Sequence, residues 1–189
     1  MIDNKNISKF AISIIEKLQN NNFQAYLVGG CVRDLLCDLK PKDFDILQNT
    51  LLEDSSFQWQ FGKGVNTPDD GYYQFCHVFY AQFEPRSQFF YNLMPIINEL
   101  EPVSIVRIKA NLNMRTPERQ EYDLHTDVDD CITSIYYVNS NDGYTRFEDG
   151  TKVDSLANRM VVFNSNTKHA GCSPTDELRR CVINFNYFI

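Results

Sequence analysis

The chain has 189 residues, of which 43% are hydrophobic and 23% charged, and its formal net charge at pH 7 is −7. This length is sufficient for one domain with a substantial core plus a small appendage. An acidic balance argues against non-specific binding of nucleic acid, which requires clustered cations. A few local arginines could still hold an anionic substrate.

The six cysteines, at positions 31, 37, 76, 131, 172 and 181, include no C-x-x-C pair. This usage is typical of reduced thiols in a reducing compartment. The polar N-terminus lacks a signal-peptide core, and no apolar run approaches the ~20 residues that span a bilayer. We therefore expect a soluble, cytoplasmic protein without a membrane partner.

The first 50 residues are expected to alternate helices and strands. Apolar residues at helical spacing predict an amphipathic helix over residues 7–18. A strand is expected at 24–28, and Gly29 and Gly30 lead into a second helix over 31–39 that stops before a proline. Alternation over residues 43–47 predicts a second strand.

The chain changes character after about residue 50 and becomes mostly β. Short β-branched and aromatic runs are separated by Asn, Asp, Gly and Pro turns, with one helix expected over residues 89–100. The predicted strands are 72–79, 103–112, 131–138, 144–147, 159–163 and 180–188. Many short strands at even spacing indicate a β-sandwich or a jelly roll.

A candidate metal site is formed by His125-Thr126-Asp127 together with His169. Residues two apart in a strand point to the same face, so the imidazole of His125 and the carboxylate of Asp127 can reach one metal. Two histidines and one carboxylate that leave other positions open are typical of non-haem Fe(II) oxygenases. A zinc site, or a chance pair on a solvated turn, remains an alternative for the H-x-D motif alone.

Arg180 favours the oxygenase interpretation. It follows His169 by eleven residues, across a turn, which places it on the next strand facing the same interior. A guanidinium can clamp a distal carboxylate with two parallel hydrogen bonds, and without such a partner it would be a costly buried charge. Arg179 is expected to point the other way, to the surface.

Residues 57–189 resemble the 2-oxoglutarate/Fe(II) oxygenases related to prolyl 4-hydroxylase, in a form common in bacteriophages. The matching stretches are residues 106–112, 125–127, 135–139, 143–150, 158–159, 169–171 and 180–188. The resemblance implies a mainly β fold, a double-stranded β-helix (jelly roll) with flanking helices after a short α/β segment. It also implies that His125, Asp127 and His169 bind Fe(II) and that Arg180 holds the far carboxylate of 2-oxoglutarate. Its further implied co-substrate contacts are Tyr137, Asn111 and Val182.

The implied reaction is hydroxylation of a primary substrate by O2 and 2-oxoglutarate, with release of succinate and CO2 and with ascorbate as a supporting reductant. The primary substrate is not readable from the sequence, and peptidyl proline is a default by family analogy alone. A phage origin would place the protein in the host cytoplasm. A non-catalytic metal-binding jelly roll is an alternative, which iron binding without succinate formation would favour.

A second signature occupies residues 25–46 and resembles the head of the poly(A) polymerase and tRNA CCA-adding nucleotidyltransferases. A strand, a Gly-Gly turn and a helix N-terminus can cradle phosphate, and two aspartates on one strand face can hold Mg2+. The matching residues are Gly29, Gly30, Arg33, Asp34, Asp43 and Asp45. Such enzymes need more sheet and a further carboxylate, whereas this chain passes into oxygenase sequence. Residues 1–50 are therefore predicted to be a truncated head-like segment before an oxygenase domain over 57–189, and RNA nucleotidyl transfer is the alternative function.

Overall fold

The computed structural model describes residues 9–21, 24–27 and 42–189. The helix predicted over residues 31–39 lies outside this part of the chain, as do Gly29, Gly30, Arg33 and Asp34. No helix within the described residues is long and apolar enough to cross a membrane.

Two β-sheets form the body of the described structure. The strands are β1 Gln24–Leu27, β2 Gln60–Lys63, β3 Tyr73–Ala81, β4 Glu84–Pro85, β5 Ser104–Met114, β6 Ile132–Tyr137, β7 Tyr144–Phe147, β8 Lys152–Asp154, β9 Arg159–Asn164, β10 His169–Gly171 and β11 Arg179–Phe188. The larger sheet has the order β1-β9-β6-β11-β5-β3-β2, with β4 paired to β3, and the smaller sheet has the order β10-β7-β8. Neighbouring strands are antiparallel except for the parallel pair of β1 and β9. This architecture confirms the predicted mainly β jelly roll and the six strands predicted between residues 72 and 188.

Helices cover one face of the larger sheet. They are α1 Lys9–Asn20, α2 Lys42–Leu52 and α3 Met94–Leu100, the last preceded by a 3-10 helix at Gln88–Leu93. The main apolar core combines buried residues of all three α-helices with one face of the central strands, for example Leu18, Leu51, Leu100, Tyr136 and Ile183. Burying each such side chain contributes roughly 1.5–3 kcal/mol, so the helices are bound firmly to the sheet.

The other face of the larger sheet packs on the smaller sheet through a second apolar cluster. Because side chains alternate along a strand, Ile135 and Tyr137 of β6 enter this cluster, whereas Tyr136 belongs to the main core. Val182 of β11 and Phe147 of β7 complete the contact between the sheets. The face of the larger sheet that meets the smaller sheet is therefore apolar at this contact. The polar side chains of that face lie further along the strands.

The strand predicted over residues 43–47 is wrong, because these residues lie within helix α2. Leu47 and Leu51 are one helical turn apart and both are buried in the main core, whereas Ile46 is 56% exposed. The helical spacing of the apolar residues therefore determines the secondary structure of this segment, and the short alternating pattern does not. Positions two apart share a face in a strand but not in a helix, so the argument for a paired Mg2+ site at Asp43 and Asp45 fails.

The described part of the N-terminal segment belongs to the same packed body. Strand β1 pairs with β9 from Gln24↔Arg159 to Leu27↔Val162 and forms an edge of the larger sheet. Asn21, just after α1, donates a hydrogen bond of 2.9 Å from Nδ2 to Glu99 of α3. The first 50 residues thus contribute both an edge strand and part of the core.

Candidate metal centre and co-substrate cavity

His125 and His169 face each other across a single antiparallel bridge. Each backbone N–H donates to the carbonyl of the other residue at 2.9 Å, and the two rings lie 4.7 Å apart between centroids. His169 begins β10, while His125 and Asp127 lie outside any regular strand. The strand geometry assumed for the H-x-D motif is therefore absent at residues 125–127, and the single bridge to His169 brings the motif to the site.

The three predicted metal ligands converge. One ligand atom each of His125, Asp127 and His169 can be chosen so that all lie within 4.8 Å of one another. The Nδ1–H groups of His125 and His169 donate to the carbonyls of Asp123 and Thr167 at 3.3 and 3.1 Å. These bonds leave both Nε2 lone pairs free for a metal, as is usual for ligating histidines.

The protonation state of His169 also suits a ligand. Burial lowers the pKa of His169 below its ordinary value, against the opposing effect of the Asp127 charge and with a smaller lowering from His125. Because a metal ligand must be the neutral imidazole, this direction favours binding. Two imidazoles and one carboxylate match the donor set of a non-haem Fe(II) centre.

Asp127 is oriented by side chains of the larger sheet. Arg107 of β5 contacts its Oδ1 at 3.3 Å, and Asn184 and Asn186 of β11 donate to its Oδ2 at 3.5 and 3.4 Å. Arg107 also donates to Asn186 at 3.0 Å. Such outer partners fix a ligating carboxylate. These three residues were not predicted from the sequence, although polar residues alternate along β5 from 107 to 113 and recur in β11 at 184 and 186.

Arg180 is buried, at 3% exposure, and its partners are hydroxyl groups. Its Nε donates to Ser155 Oγ at 2.7 Å and its Nη2 to Thr145 Oγ1 at 3.1 Å. No carboxylate in the described part of the chain forms an ion pair with it. A buried cation is costly unless it is paired, so this guanidinium is well suited to receive an anion.

Two glycines make room for Arg180. A Cβ on Gly143 would lie 2.7 Å from Arg180 Cδ, and a Cβ on Gly171 would lie 3.3 Å from Arg180 Nη1. Arg179 points away, as expected, and pairs with Glu53 at 2.6 Å. The alternation predicted for this strand is therefore correct.

A cavity of about 270 Å³ joins the triad to Arg180. Asn111 and Val182, which are cross-strand partners, both line it as expected. Tyr137 does not line it; its hydroxyl donates to Thr145 Oγ1 at 2.8 Å, and its ring lies 5.6 Å from Arg180 Cζ. Tyr137 therefore lies outside the cavity lining. It donates to the Thr145 hydroxyl, which also accepts a hydrogen bond from Arg180. Asp45 is an exposed helical residue away from this cavity.

Two family models match different parts of the chain. The model of the 2OG-Fe(II) oxygenase superfamily matches residues 110–188, and the poly A polymerase head domain matches residues 25–72. Poly(A) polymerase I of Haemophilus influenzae is 52% identical over 48 residues, which are 25% of this chain and 11% of that protein. The CCA-adding enzyme of Lactobacillus delbrueckii subsp. bulgaricus is 40% identical over 57 residues, 30% of this chain and 14% of that protein. The chain thus spans only about a tenth to a seventh of these curated relatives.

Solved structures show the same fold over nearly the whole chain. A prolyl hydroxylase from Trichoplax adhaerens, in complex with a hypoxia inducible factor oxygen degradation domain peptide fragment, aligns with a TM-score of 0.57 and 15% identity, covering 95% of this chain and 89% of that one. An oxidoreductase of the 2OG-Fe(II) oxygenase family from Burkholderia pseudomallei aligns with a TM-score of 0.57 and 10% identity, covering 97% and 92%. The chain therefore has the fold of these structures, residues 110–188 resemble the 2OG-Fe(II) oxygenase superfamily and residues 25–72 resemble the poly(A) polymerase head, so both predicted resemblances are confirmed.

Proposed function

We propose that this protein is an Fe(II)- and 2-oxoglutarate-dependent dioxygenase that hydroxylates an unidentified primary substrate and releases succinate and CO2. The observation that carries the proposal is the convergence of His125, Asp127 and His169 in a cavity that the buried Arg180 also lines. Neither group alone would require this chemistry. A metal site and a carboxylate clamp in one cavity match a co-substrate that chelates the metal and has a distal carboxylate.

Each side chain has a defined task in this proposal. The two Nε2 atoms and the Asp127 carboxylate hold Fe(II), while Arg107, Asn184 and Asn186 keep that carboxylate in place. Bound Fe(II) supplies the activation of O2 that couples oxidative decarboxylation of 2-oxoglutarate to hydroxylation. Arg180 pairs with the distal carboxylate and fixes the orientation of the co-substrate.

The mass balance is that of an oxygenase. One oxygen atom of O2 enters the succinate carboxylate, and the other enters the new hydroxyl group of the substrate. The C1 carboxylate of 2-oxoglutarate leaves as CO2. Ascorbate would be supportive only, by keeping the iron in its Fe(II) form between turnovers.

We infer further that the N-terminal segment does not transfer nucleotides by itself. The similarity to nucleotidyltransferases covers residues 25–72, and the helical backbone at Lys42–Leu52 does not present Asp43 and Asp45 as strand neighbours. A Mg2+-dependent transfer of nucleotides to RNA is the competing function. Its appearance in the purified protein would contradict this inference.

Succinate formation tests the proposal. Purified protein with Fe(II), ascorbate, O2 and 2-oxoglutarate should form succinate, even without primary substrate, through uncoupled turnover. His125→Ala should abolish it, and Asp45→Asn, which changes an exposed carboxylate outside the cavity, should not. If no succinate forms and the metal-loaded protein also fails to bind 2-oxoglutarate in a titration, the proposal is wrong.

A further inference from the structure

The cavity carries more positive than negative charge, although the chain as a whole is acidic at −7. Among the described residues that line it, the cations are Arg107, Lys109 and Arg180, and Asp127 is the carboxylate. A divalent metal would add two positive charges, and the dianion 2-oxoglutarate would offset only those two. The loaded cavity therefore keeps a positive field, which attracts anions.

Lys109 is the cation of this set that has no assigned task. Arg107 is bound to Asp127 and Asn186, and Arg180 is held by Ser155 and Thr145. Within the described part of the chain, no acidic side chain forms an ion pair with Lys109. It lines the cavity while remaining partly exposed, so a molecule entering the cavity can reach it.

Lys109 and Arg180 start from well-separated positions along the sheet. On β5 it is four residues from Asn113, the cross-strand partner of Arg180. At about 3.3 Å per residue this separation is roughly 13 Å. The cross-strand partner of Lys109 is Asn184, whose amide contacts Asp127. Lys109 therefore flanks the metal end of the cavity, where the primary substrate must be oxidised.

The rest of the lining is also polar. Five carboxamide side chains line the cavity, those of Asn66, Gln74, Asn111, Asn113 and Asn184, against three aliphatic ones. The buried Oδ1 atoms of Asn66 and Asn184 have no hydrogen-bond partner within the described structure. Buried polar atoms are normally satisfied, so these two oxygens add to the polar character of the side chains that line the cavity. A bare pyrrolidine ring, which is apolar, matches such a wall poorly.

We propose that the group of the primary substrate that enters this cavity carries a carboxylate or a phosphate, and that the Lys109 ammonium binds it beside the metal. This inference rests on the proposed dioxygenase function and narrows its substrate class. Lys109 is a binding residue for the substrate anion, and the carboxamide side chains that line the cavity supply a polar surface for the rest of that group. Peptidyl proline, the default substrate by family analogy, would fit only if such an anionic group lay next to the carbon that is hydroxylated.

The test is a binding titration of the protein loaded with Zn(II) in place of iron and with saturating 2-oxoglutarate, so that Arg180 and the metal are occupied and no turnover occurs. Acetate, inorganic phosphate and neutral acetamide are titrated separately, and amide NMR shifts report the dissociation constants. At least one of the two anions should bind ten or more times more tightly than acetamide. The preferred anion distinguishes a carboxylate from a phosphate substrate.

Three variants assign that preference. Lys109→Gln should remove it, and Lys109→Arg should retain much of it. Lys168→Gln, which changes an exposed lysine paired with Glu148, should leave it unchanged. Equal binding of anions and acetamide by the wild type, or an anion preference that survives in Lys109→Gln, would overturn the inference while leaving the dioxygenase intact. Failure of 2-oxoglutarate itself to bind the Zn(II)-loaded protein would overturn both.

Discussion

The two regions with family likenesses, residues 25–72 and 110–188, differ in what their likeness means. The first is 52% identical to a poly(A) polymerase over 48 residues but represents 11% of that protein. The second lies in a chain only 10–15% identical to solved structures of the same fold, yet its proposed metal ligands and Arg180 line one cavity. High identity over a short segment reports shared origin, whereas a reaction requires a complete set of groups in one place.

The N-terminal region also has a structural part in the jelly roll. In the described residues, β1 extends the larger sheet and α2 buries Leu47 and Leu51 in its core. A segment with polymerase-like sequence therefore supports an oxygenase fold.

A substitution in the main core tests whether the N-terminal region stabilises the fold. Leu47→Ala should lower the free energy of unfolding by about 2–5 kcal/mol, because it leaves a cavity in the main core at a side chain 2% exposed. Ile46→Ala, at a neighbouring residue 56% exposed, should change it by less than about 0.5 kcal/mol. Urea unfolding followed by fluorescence of the single tryptophan and by circular dichroism measures both.

Trp59 is a suitable reporter because its indole N–H donates to the carbonyl of Leu51 at 3.3 Å. One coincident transition for both probes is expected in the wild type and in both variants. If Leu47→Ala shifted only the fluorescence transition, the N-terminal region would unfold as an independent unit and would not support the rest of the fold.

The next effect concerns the co-substrate. Arg180→Met should weaken 2-oxoglutarate binding to the metal-loaded protein by tenfold to more than a hundredfold, since hydrogen bonds to a charged group contribute about 1.5–3 kcal/mol. Arg179→Met, at the exposed arginine paired with Glu53, should stay within about twofold of the wild type. Calorimetric titration gives both constants. A loss confined to Arg179→Met would mean that the wrong arginine has been assigned.

The sequence predicted the C-terminal part better than the N-terminal part, for identifiable reasons. Strands such as β11 have long alternating patterns, and their period fixed the inward direction of Arg180. Residues 43–47 are too few to distinguish the two-residue period of a strand from the 3.6-residue period of a helix. The helix forms because it buries Leu47 and Leu51 in the main core. The triad was identified by residue type although its local geometry was not, since a single bridge aligns His125 with His169. Arg107 and Asn186 were missed because contacts between strands depend on register, which local patterns do not give.

A smaller effect tests how tightly Arg180 is positioned. Gly143→Ala should weaken 2-oxoglutarate binding by about tenfold, because the new Cβ would lie 2.7 Å from Arg180 Cδ and overpacking costs about 1–3 kcal/mol. Gly171→Ala, where the nearest Arg180 atom is at 3.3 Å, should have a weaker effect. Metal content should be unchanged in both variants. Unaltered affinity in Gly143→Ala would show that Arg180 can move without loss.

Little change is expected at the motif that resembles nucleotidyltransferases. Asp45→Asn should change the free energy of unfolding by less than about 0.5 kcal/mol. It should also leave the affinity for 2-oxoglutarate unchanged, because Asp45 is exposed and lies outside the cavity. Thermal unfolding and calorimetry measure the two quantities. A marked loss in either would assign the aspartate a task that the present account does not contain.

We expect one metal ion to be bound by the C-terminal region and none by the N-terminal motif. Anaerobic equilibrium dialysis against Fe(II) measures the stoichiometry directly for the wild type, for His169→Ala and for the double variant Asp43→Asn/Asp45→Asn. We expect one equivalent of iron per chain in the wild type and in the double aspartate variant, and less than a tenth of an equivalent in His169→Ala. Iron retained in His169→Ala but lost in the aspartate variant would contradict the account.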